Sequence, residues 1–415
     1  MEPILKIIKP SKEEEKQFST TVASFLERLN KNLDNATAIL GGSGAKGTWL
    51  SGNHDIDIFV QYDYKKFKDK SSELSGYLLK SLNKAFPKLA IAKVHGSRDY
   101  FQLRYEHLSF EVVPILKISK AEDAVNITDV SPLHSQWVIK NASKIKDDIR
   151  LLKQFCKANN LYGAESYITG FSGYVLEILA VYYGSFEKVL KASQKWKEKE
   201  VIDASDFYKK KDALFHINSS KLHSPLIVVD PVDKDRNAAA ALSSEKWLLF
   251  KELARKYIQK PSDSFFEKEK TTLDFLRQKH KGKNVVFIAI LPLEGKEDVV
   301  GVKLLKVFQF LQEKLDGFKA DKSGWQWDKG DEAAFYYVLK LKELPAYEIK
   351  NGPPLKLKEY VADFKKKYKD YFEEAGRIKA KVKTEHPKLD DFVKSLLKED
   401  YVSERIGKVK KVEVL

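Results

Sequence analysis

The chain has 415 residues and 43% hydrophobic content, enough apolar mass for more than one buried core, which excludes a wholly disordered protein. Its formal net charge of +15 concentrates polyanions at the surface, whether nucleic acid, nucleotide phosphates or an anionic membrane. A single cysteine, Cys156, excludes an intrachain disulfide and a thiolate metal cluster, and no apolar run approaches the ~20 residues of a membrane span, so a cytoplasmic protein without a signal peptide is expected.

Phe18, Val22, Phe25, Leu26 and Leu29 recur at helical spacing and predict an amphipathic helix over 12–33. A glycine-rich turn at 41–47 leads to a strand of alternating polarity at 54–62. A helix at 64–86 and strands at 90–95, 100–105 and 108–118 follow. This mixed region closes near 131–134. From 143 the pattern turns helical: Ile145, Ile149, Leu152 and Cys156 form an apolar stripe, beside a basic stripe of Lys146, Arg150, Lys153 and Lys157. The almost wholly apolar run 171–183 predicts a buried helix, with Gly184 as its stop and Ser185 as the next N-cap. A short strand at 226–229 runs into a turn at 230–237, and helices continue to about 259. A strand at 285–290, a helix at 299–315 and a hairpin of 325–327 with 334–341 across 328–332 then predict a β-α-β-β layer like that of RNA-recognition folds. Beyond 352–354 the chain reads as helical and Lys-rich to about 399. The expected fold is an α+β multidomain protein: a mixed head at 1–134, a mainly helical central domain at 135–260, a β-α-β-β body at 261–355 and a helical basic tail at 356–415.

The segment 41–60, GGSGAKGTWLSGNHDIDIFV, carries the chemistry. Gly42-Ser43 opens a turn whose backbone N–H groups suit an anion. Strand side chains alternate, so Asp55 and Asp57 project from one face while Ile56, Ile58 and Val60 point to a core. Two carboxylates held this close repel unless a cation sits between them, an arrangement that suits paired magnesium ions. Glu111 is an acid inside an otherwise apolar strand and is the candidate third ligand, because a buried unpaired charge is costly. Taken alone, an Asp-x-Asp is usually a solvated strand face or a turn. Gly-Ser followed about a dozen residues later by Asp-x-Asp, with a later strand acid, is far more specific.

That combination resembles the polymerase-β-type nucleotidyltransferase superfamily. Further segments narrow the resemblance to the archaeal (class I) CCA-adding enzymes: Asp148–Phe155 (DIRLLKQF), Leu161–Glu165 (LYGAE), Gly170–Tyr174 (GFSGY), Tyr182–Phe186 (YYGSF) and Asp230–Asn237 (DPVDKDRN), with Gly352-Pro353-Pro354 distally. It spans about the whole chain in order, densest over 41–240. It implies that Asp55, Asp57 and Glu111 are catalytic, metal-binding carboxylates for two Mg2+ ions, and that Ser43 and Lys46 bind the nucleotide triphosphate. It further implies nucleotide contacts from Lys153, Tyr162 and His134, and a place for Arg236 near the incoming base and the RNA end. The implied partners are tRNA, held by its 3′ acceptor end and elbow, with CTP and ATP; no membrane is implied, and a homodimer is left open. Each residue has a plainer reading. Lys153 fits a solvated stripe, Tyr162 a packing aromatic, His134 a turn cap, and Arg236 a local pair with Asp233 or Asp235. Two departures stand out: Glu111 replaces the family's usual Asp, and Lys46 stands where Arg is common, giving charge without a bidentate fork. The rival expectations are a poly(A)- or oligoadenylate-type polymerase with the same head, and a non-catalytic tRNA-binding protein with a degenerate head.

Overall fold

Alternation in the acid-bearing segment decides which way the first sheet faces. In a computed structural model, which describes residues 1–52, 55–208, 212–269 and 271–415, five strands pair in the order β1-β2-β5-β4-β3. These are β1 (Ala36–Leu40), β2 (Asp55–Tyr62), β3 (Ile91–Val94), β4 (Tyr100–Tyr105) and β5 (Leu108–Leu116). β2 and β5 run parallel and the other pairs antiparallel. The predicted start of β2 at His54 lies outside the described residues; the strand runs from Asp55. Ser11 and Glu14 form a capping box that starts the helix Lys12–Asn30. Its Val22, Phe25 and Leu29 share one core with Leu74, Leu78 and Leu82 of the helix Leu74–Ala85 and with Ile56, Ile58, Phe110 and Val112 of the sheet. That core takes one sheet face and leaves Asp55, Asp57 and Glu111 on the other.

The single helix expected over 64–86 is divided into Tyr64–Phe67, a 3-10 segment Lys68–Glu73 and Leu74–Ala85. Polar Ser71 sits in that segment and accepts a hydrogen bond from the buried guanidinium of Arg98, which also pairs with buried Asp129.

Helices Ser131–Asn141, Lys146–Ala158, Gly173–Tyr183, Phe186–Ser193 and Ser244–Gln259 follow, around a core that includes Ile149, Leu152, Phe155, Cys156, Leu176, Leu179, Phe186 and Phe250. The basic stripe is not a solvated face: Arg150 and Lys153 are both 4% exposed. A three-stranded sheet β6 (Glu200–Asp203), β7 (Leu226–Asp230) and β8 (Asp233–Asn237) lies within this region. The segment 230–237, expected as a turn, is therefore a tight β7–β8 hairpin, with every residue of β7 buried.

All of these elements belong to one compact unit, Met1–Glu269; Lys270–Leu415 forms a second. In the second unit β9 (Asn284–Leu291), the helix Glu297–Lys314, β10 (Ala320–Trp327) and β11 (Ala333–Leu339) give the expected β-α-β-β order, and the β10–β11 hairpin turns across 328–332. Tyr337 is fully buried and donates to the Phe308 carbonyl at 2.9 Å, so it is core.

The stretch read as a helical tail contains strands instead. β12 (Tyr347–Pro354), β13 (Tyr371–Glu374) and β14 (Arg377–Lys383) make a three-stranded sheet in the order β12-β14-β13, and β15 (Lys408–Val414) pairs with β9 at the edge of the larger sheet. β14 reads RIKAKVK: its Ile378 and Ala380 are buried at period two while Arg and Lys alternate outward. Lysine density hides that period from a helical reading. The helices in this stretch are Lys358–Lys367, Leu389–Leu396 and Asp400–Ser403. Among the described residues, no helix is long and apolar enough to cross a membrane.

Candidate active site

The parallel register of β2 and β5 sets Asp57 directly beside Glu111 and Asp55 beside Ser109. Period-two alternation then puts Asp55, Asp57 and Glu111 on one face, while Ile56 and Ile58 are buried on the other. Asp55 is exposed, whereas Asp57 and Glu111 are half-buried. Burial, then the nearby charges of Glu111 and Asp55, push the Asp57 carboxyl up to about 6, against the opposing pull of Lys46 and Lys153. Glu111 is tethered: Gln102, its register partner on β4, donates Nε2–H to Oε1 at 2.7 Å.

Among the described residues, no three His, Cys, Asp or Glu side chains already stand in the geometry of a metal cage. The backbone aligns the acids; Asp55 is exposed, and Glu111 can keep the Gln102 hydrogen bond on Oε1 and still offer lone pairs to a cation. The donor set fits a hard cation, being all carboxylate oxygen, with its central acid raised by burial and then by its acidic neighbours.

The glycine-rich segment abuts these acids. It forms a short helix, Gly42–Lys46, with Gly41 as N-cap and no side-chain cap bond. Gly41 donates its N–H to the Asp57 carbonyl at 2.8 Å, fixing the turn to β2. Gly42 has φ +52, and a Cβ there would lie 1.6 Å from Asp57 Oδ2. The turn thus reaches the Asp57 carboxylate only because residue 42 has no side chain. Ser43 lies in its first turn.

Lys46 and Lys153, read as triphosphate ligands, meet on an acid that the sequence reading passed over. Glu177 is fully buried in the apolar helix Gly173–Tyr183. Lys46 Nζ donates to its Oε2 at 2.6 Å; Lys153 Nζ and Thr48 Oγ1 donate to its Oε1 at 2.8 Å and 2.7 Å. Burial alone would raise the Glu177 carboxyl; Lys153 and Lys46 overcome it and draw it down to about 2. Arg150 holds the same joint by donating to the Trp49 and Gly47 carbonyls at 3.0 Å and 2.8 Å. Tyr162 is half-buried alongside: a Cβ on Gly173 would lie 2.7 Å from its hydroxyl and 3.6 Å from Lys153 Cε. Burial, then Glu177, raises the Tyr162 phenol, so it stays protonated.

His134 and Arg236 converge on a second buried acid, Asp230 at the end of β7. His134 Nε2 lies 3.0 Å from Asp230 Oδ2, which also takes the Arg236 guanidinium. Tyr174 donates its hydroxyl to Oδ1 at 3.0 Å and packs on His134 with ring centroids 4.2 Å apart. Arg236 thus pairs with Asp230 rather than with Asp233 or Asp235. Burial would raise the Asp230 carboxyl, but His134 and Arg236 hold it below its usual range. Asp230→Ala should lower stability by about 3 kcal/mol, since it leaves the Arg236 guanidinium, the His134 ring and the Tyr174 hydroxyl without their buried partner. A urea midpoint equal to the unmodified protein's would refute that role.

The described structure therefore brings together two groups within one unit. Asp55, Asp57, Glu111, Ser43, Lys46 and Lys153 surround the Gly42 turn, and His134, Arg236 and Tyr174 surround Asp230. Glu177 is linked electrostatically to Tyr162 and Tyr174, one in each group's vicinity.

Two family models match: tRNA nucleotidyltransferase, second domain, over residues 147–267, and the Second Messenger Oligonucleotide or Dinucleotide Synthetase domain over residues 1–151. The CCA-adding enzyme of Nanoarchaeum equitans is 36% identical over 299 residues, 72% of each chain. That of Pyrobaculum aerophilum is 33% identical, over 84% of this chain and 80% of its own. That of Methanoregula boonei is 28% identical, over 94% of this chain and 84% of its own. Among solved structures, the Cid1 poly(U) polymerase shares the fold at TM-score 0.50 and 15% identity, over 65% of this chain and 97% of its own. With identities above 30% across more than two thirds of both partners, the chain belongs to the archaeal-type CCA-adding enzymes, the tRNA nucleotidyltransferases with a polymerase-β-like head.

Proposed function

We propose that this chain adds C, C and A to the 3′ end of tRNA without a nucleic-acid template, consuming CTP and ATP and releasing pyrophosphate. The observation that carries the reading is the register of Asp57 against Glu111, with Asp55 on the same face and the Gly42 turn against Asp57. Asp55, Asp57 and Glu111 would hold Mg2+, which when bound supplies Lewis acidity at the attacking and leaving oxygens. The backbone N–H groups at Gly42 and Ser43 face the triphosphate, and Lys46 and Lys153 offset its charge. The Tyr162 hydroxyl, kept protonated by burial, donates to a phosphate oxygen. The 3′-hydroxyl attacks the α-phosphate in line, and positioning carries most of the rate because little covalent chemistry is asked of the protein. His134 and Arg236, oriented by Asp230, meet the base and the RNA end. The Lys-rich second unit, with Lys379, Lys381 and Lys383 alternating along β14, supplies phosphate contacts to the tRNA body.

Primer extension with labelled CTP or ATP on tRNA ending before C, after one C, or after CC tests this. CTP should be added to the first two and ATP only to the third. Polymerisation of ATP alone on every end would favour a poly(A)-type enzyme. Absence of all incorporation, with tRNA binding retained, would favour a binding protein.

A further inference from the structure

Glu177 is a single carboxylate in a helix whose other inward residues, Val175, Leu176, Ile178, Leu179 and Ala180, are apolar and buried. A fully buried charge is expensive unless paired and hydrogen-bonded, and this one has three donors within 2.8 Å: Lys46, Lys153 and Thr48. One acid facing two ammonium groups leaves a formal excess of positive charge. That excess lies within electrostatic reach of Asp57, the acid at the centre of the proposed metal site.

Holding the glycine-rich segment against the helices does not require this arrangement. Arg150 already ties the helix Lys146–Ala158 to the Gly47 and Trp49 carbonyls, and an apolar side chain in place of a buried ion cluster is often as stable. What Glu177 adds is control over two flexible, compact cations that arrive from different elements: Lys46 from the glycine-rich turn and Lys153 from the neighbouring helix. Both ammonium groups are fixed on one carboxylate before any ligand arrives.

We propose that Glu177 is a positioning residue for the nucleotide triphosphate: it fixes Lys46 and Lys153 as a paired cationic subsite beside Asp57. This rests on the reading that Lys46 and Lys153 meet the triphosphate. Lys153 is held below the usual lysine range, first by burial, with Lys46 and Lys157 adding to the effect and Glu177 opposing it. Removing the Glu177 charge therefore makes Lys153 lose its proton at lower pH. Asp57 and the phenols of Tyr162 and Tyr174 are further titratable groups coupled to this cluster.

The test uses the full chain with Glu177→Gln and Glu177→Asp. CTP addition to tRNA lacking CCA and ATP addition to tRNA ending in CC are followed from pH 6 to 9.5. Binding of inorganic triphosphate is measured by calorimetry on the same proteins. Glu177→Gln should raise KM for CTP and for ATP alike by about tenfold, the scale of one charge-assisted hydrogen bond, while KM for tRNA stays unchanged. It should also weaken inorganic triphosphate to a similar extent and move the alkaline limb of kcat/KM toward lower pH. Glu177→Asp keeps the charge and should keep the alkaline limb in place. If Glu177→Gln proves unfolded, Glu177→Asp decides the matter: its shorter arm should weaken inorganic triphosphate while the alkaline limb stays in place, and unchanged triphosphate affinity would overturn the proposal. Unchanged KM, triphosphate affinity and pH limb in a folded Glu177→Gln protein would overturn the proposal. So would losses that track thermal stability and affect tRNA equally. An unmodified protein that adds no nucleotide would instead refute the proposed function, and triphosphate binding would still report on Glu177.

Discussion

Replacing Asp57 with Asn is expected to abolish nucleotide addition while making the metal-free protein more stable above pH 6. The first effect follows from its place at the centre of the acid face, paired in register with Glu111 and two residues from Asp55. Loss of about 10²–10³-fold in kcat is the scale seen when a preorganised group facing the reacting charge is removed. The second follows from proton linkage. Burial, Glu111 and Asp55 raise the Asp57 carboxyl to about 6 from an ordinary 3.8. The folded state therefore prefers the protonated acid, and ionisation destabilises it progressively as pH rises from about 4 to 6. Above 6 the penalty is fully present; below 4 it vanishes. Asn carries no charge and escapes it. Added Mg2+ should accordingly raise the melting temperature of the unmodified protein at pH 8 and do so far less for Asp57→Asn. Thermal unfolding at pH 4 and pH 8, with and without Mg2+, together with single-turnover CTP addition, checks both effects. Near-normal turnover by Asp57→Asn would remove Asp57 from the site, and a lower melting temperature than the unmodified protein at pH 8 without metal would contradict the electrostatic account.

The acid face was legible because its signal is periodic. Asp55 and Asp57 interrupt an apolar strand at period two, and Glu111 interrupts another, so alternation alone puts them opposite the core. Glu177 and Asp230 carry no such period. Each is one acid in an apolar stretch, and what it meets lies far along the chain: Lys46 is 131 residues from Glu177, and His134 is 96 from Asp230. The apolar helix around Glu177 was readable as buried. A lone carboxylate within it was itself the available signal, because burial at that position demands a cationic partner. Lys46 and Lys153 illustrate the converse. Their residue type pointed to phosphate, but only the fold shows that they share a buried counter-ion. The distal strands were missed for a chemical reason: in RIKAKVK the outward positions are all cationic, and charge density obscured the alternation of Ile378, Ala380 and Val382.

Gly42→Ala should separate the geometry of the turn from its mere flexibility. Residue 42 sits at φ +52, where an L side chain is strained by about 1–2 kcal/mol. The new Cβ would also stand 1.6 Å from Asp57 Oδ2, 2.6 Å from Cγ and 3.0 Å from Cβ. Rotating the carboxylate alone does not clear the third contact with comfort, and Gly41 pins the turn to the Asp57 carbonyl. Either the turn retreats or the carboxylate swings off the acid face, and a displacement of about 1 Å at a reacting centre can lower the rate by about 10²-fold. Gly376 supplies the control. It has φ +72 and nothing within 4 Å of an added Cβ, so Gly376→Ala carries backbone strain without a collision. Both variants should lose comparable stability through strain, with Gly42→Ala losing more, but only Gly42→Ala should lose about 10²-fold in kcat for CTP and ATP addition. Equal turnover by the two variants would mean that the Gly42 turn does not control the Asp57 carboxylate, and that its glycine serves the backbone alone.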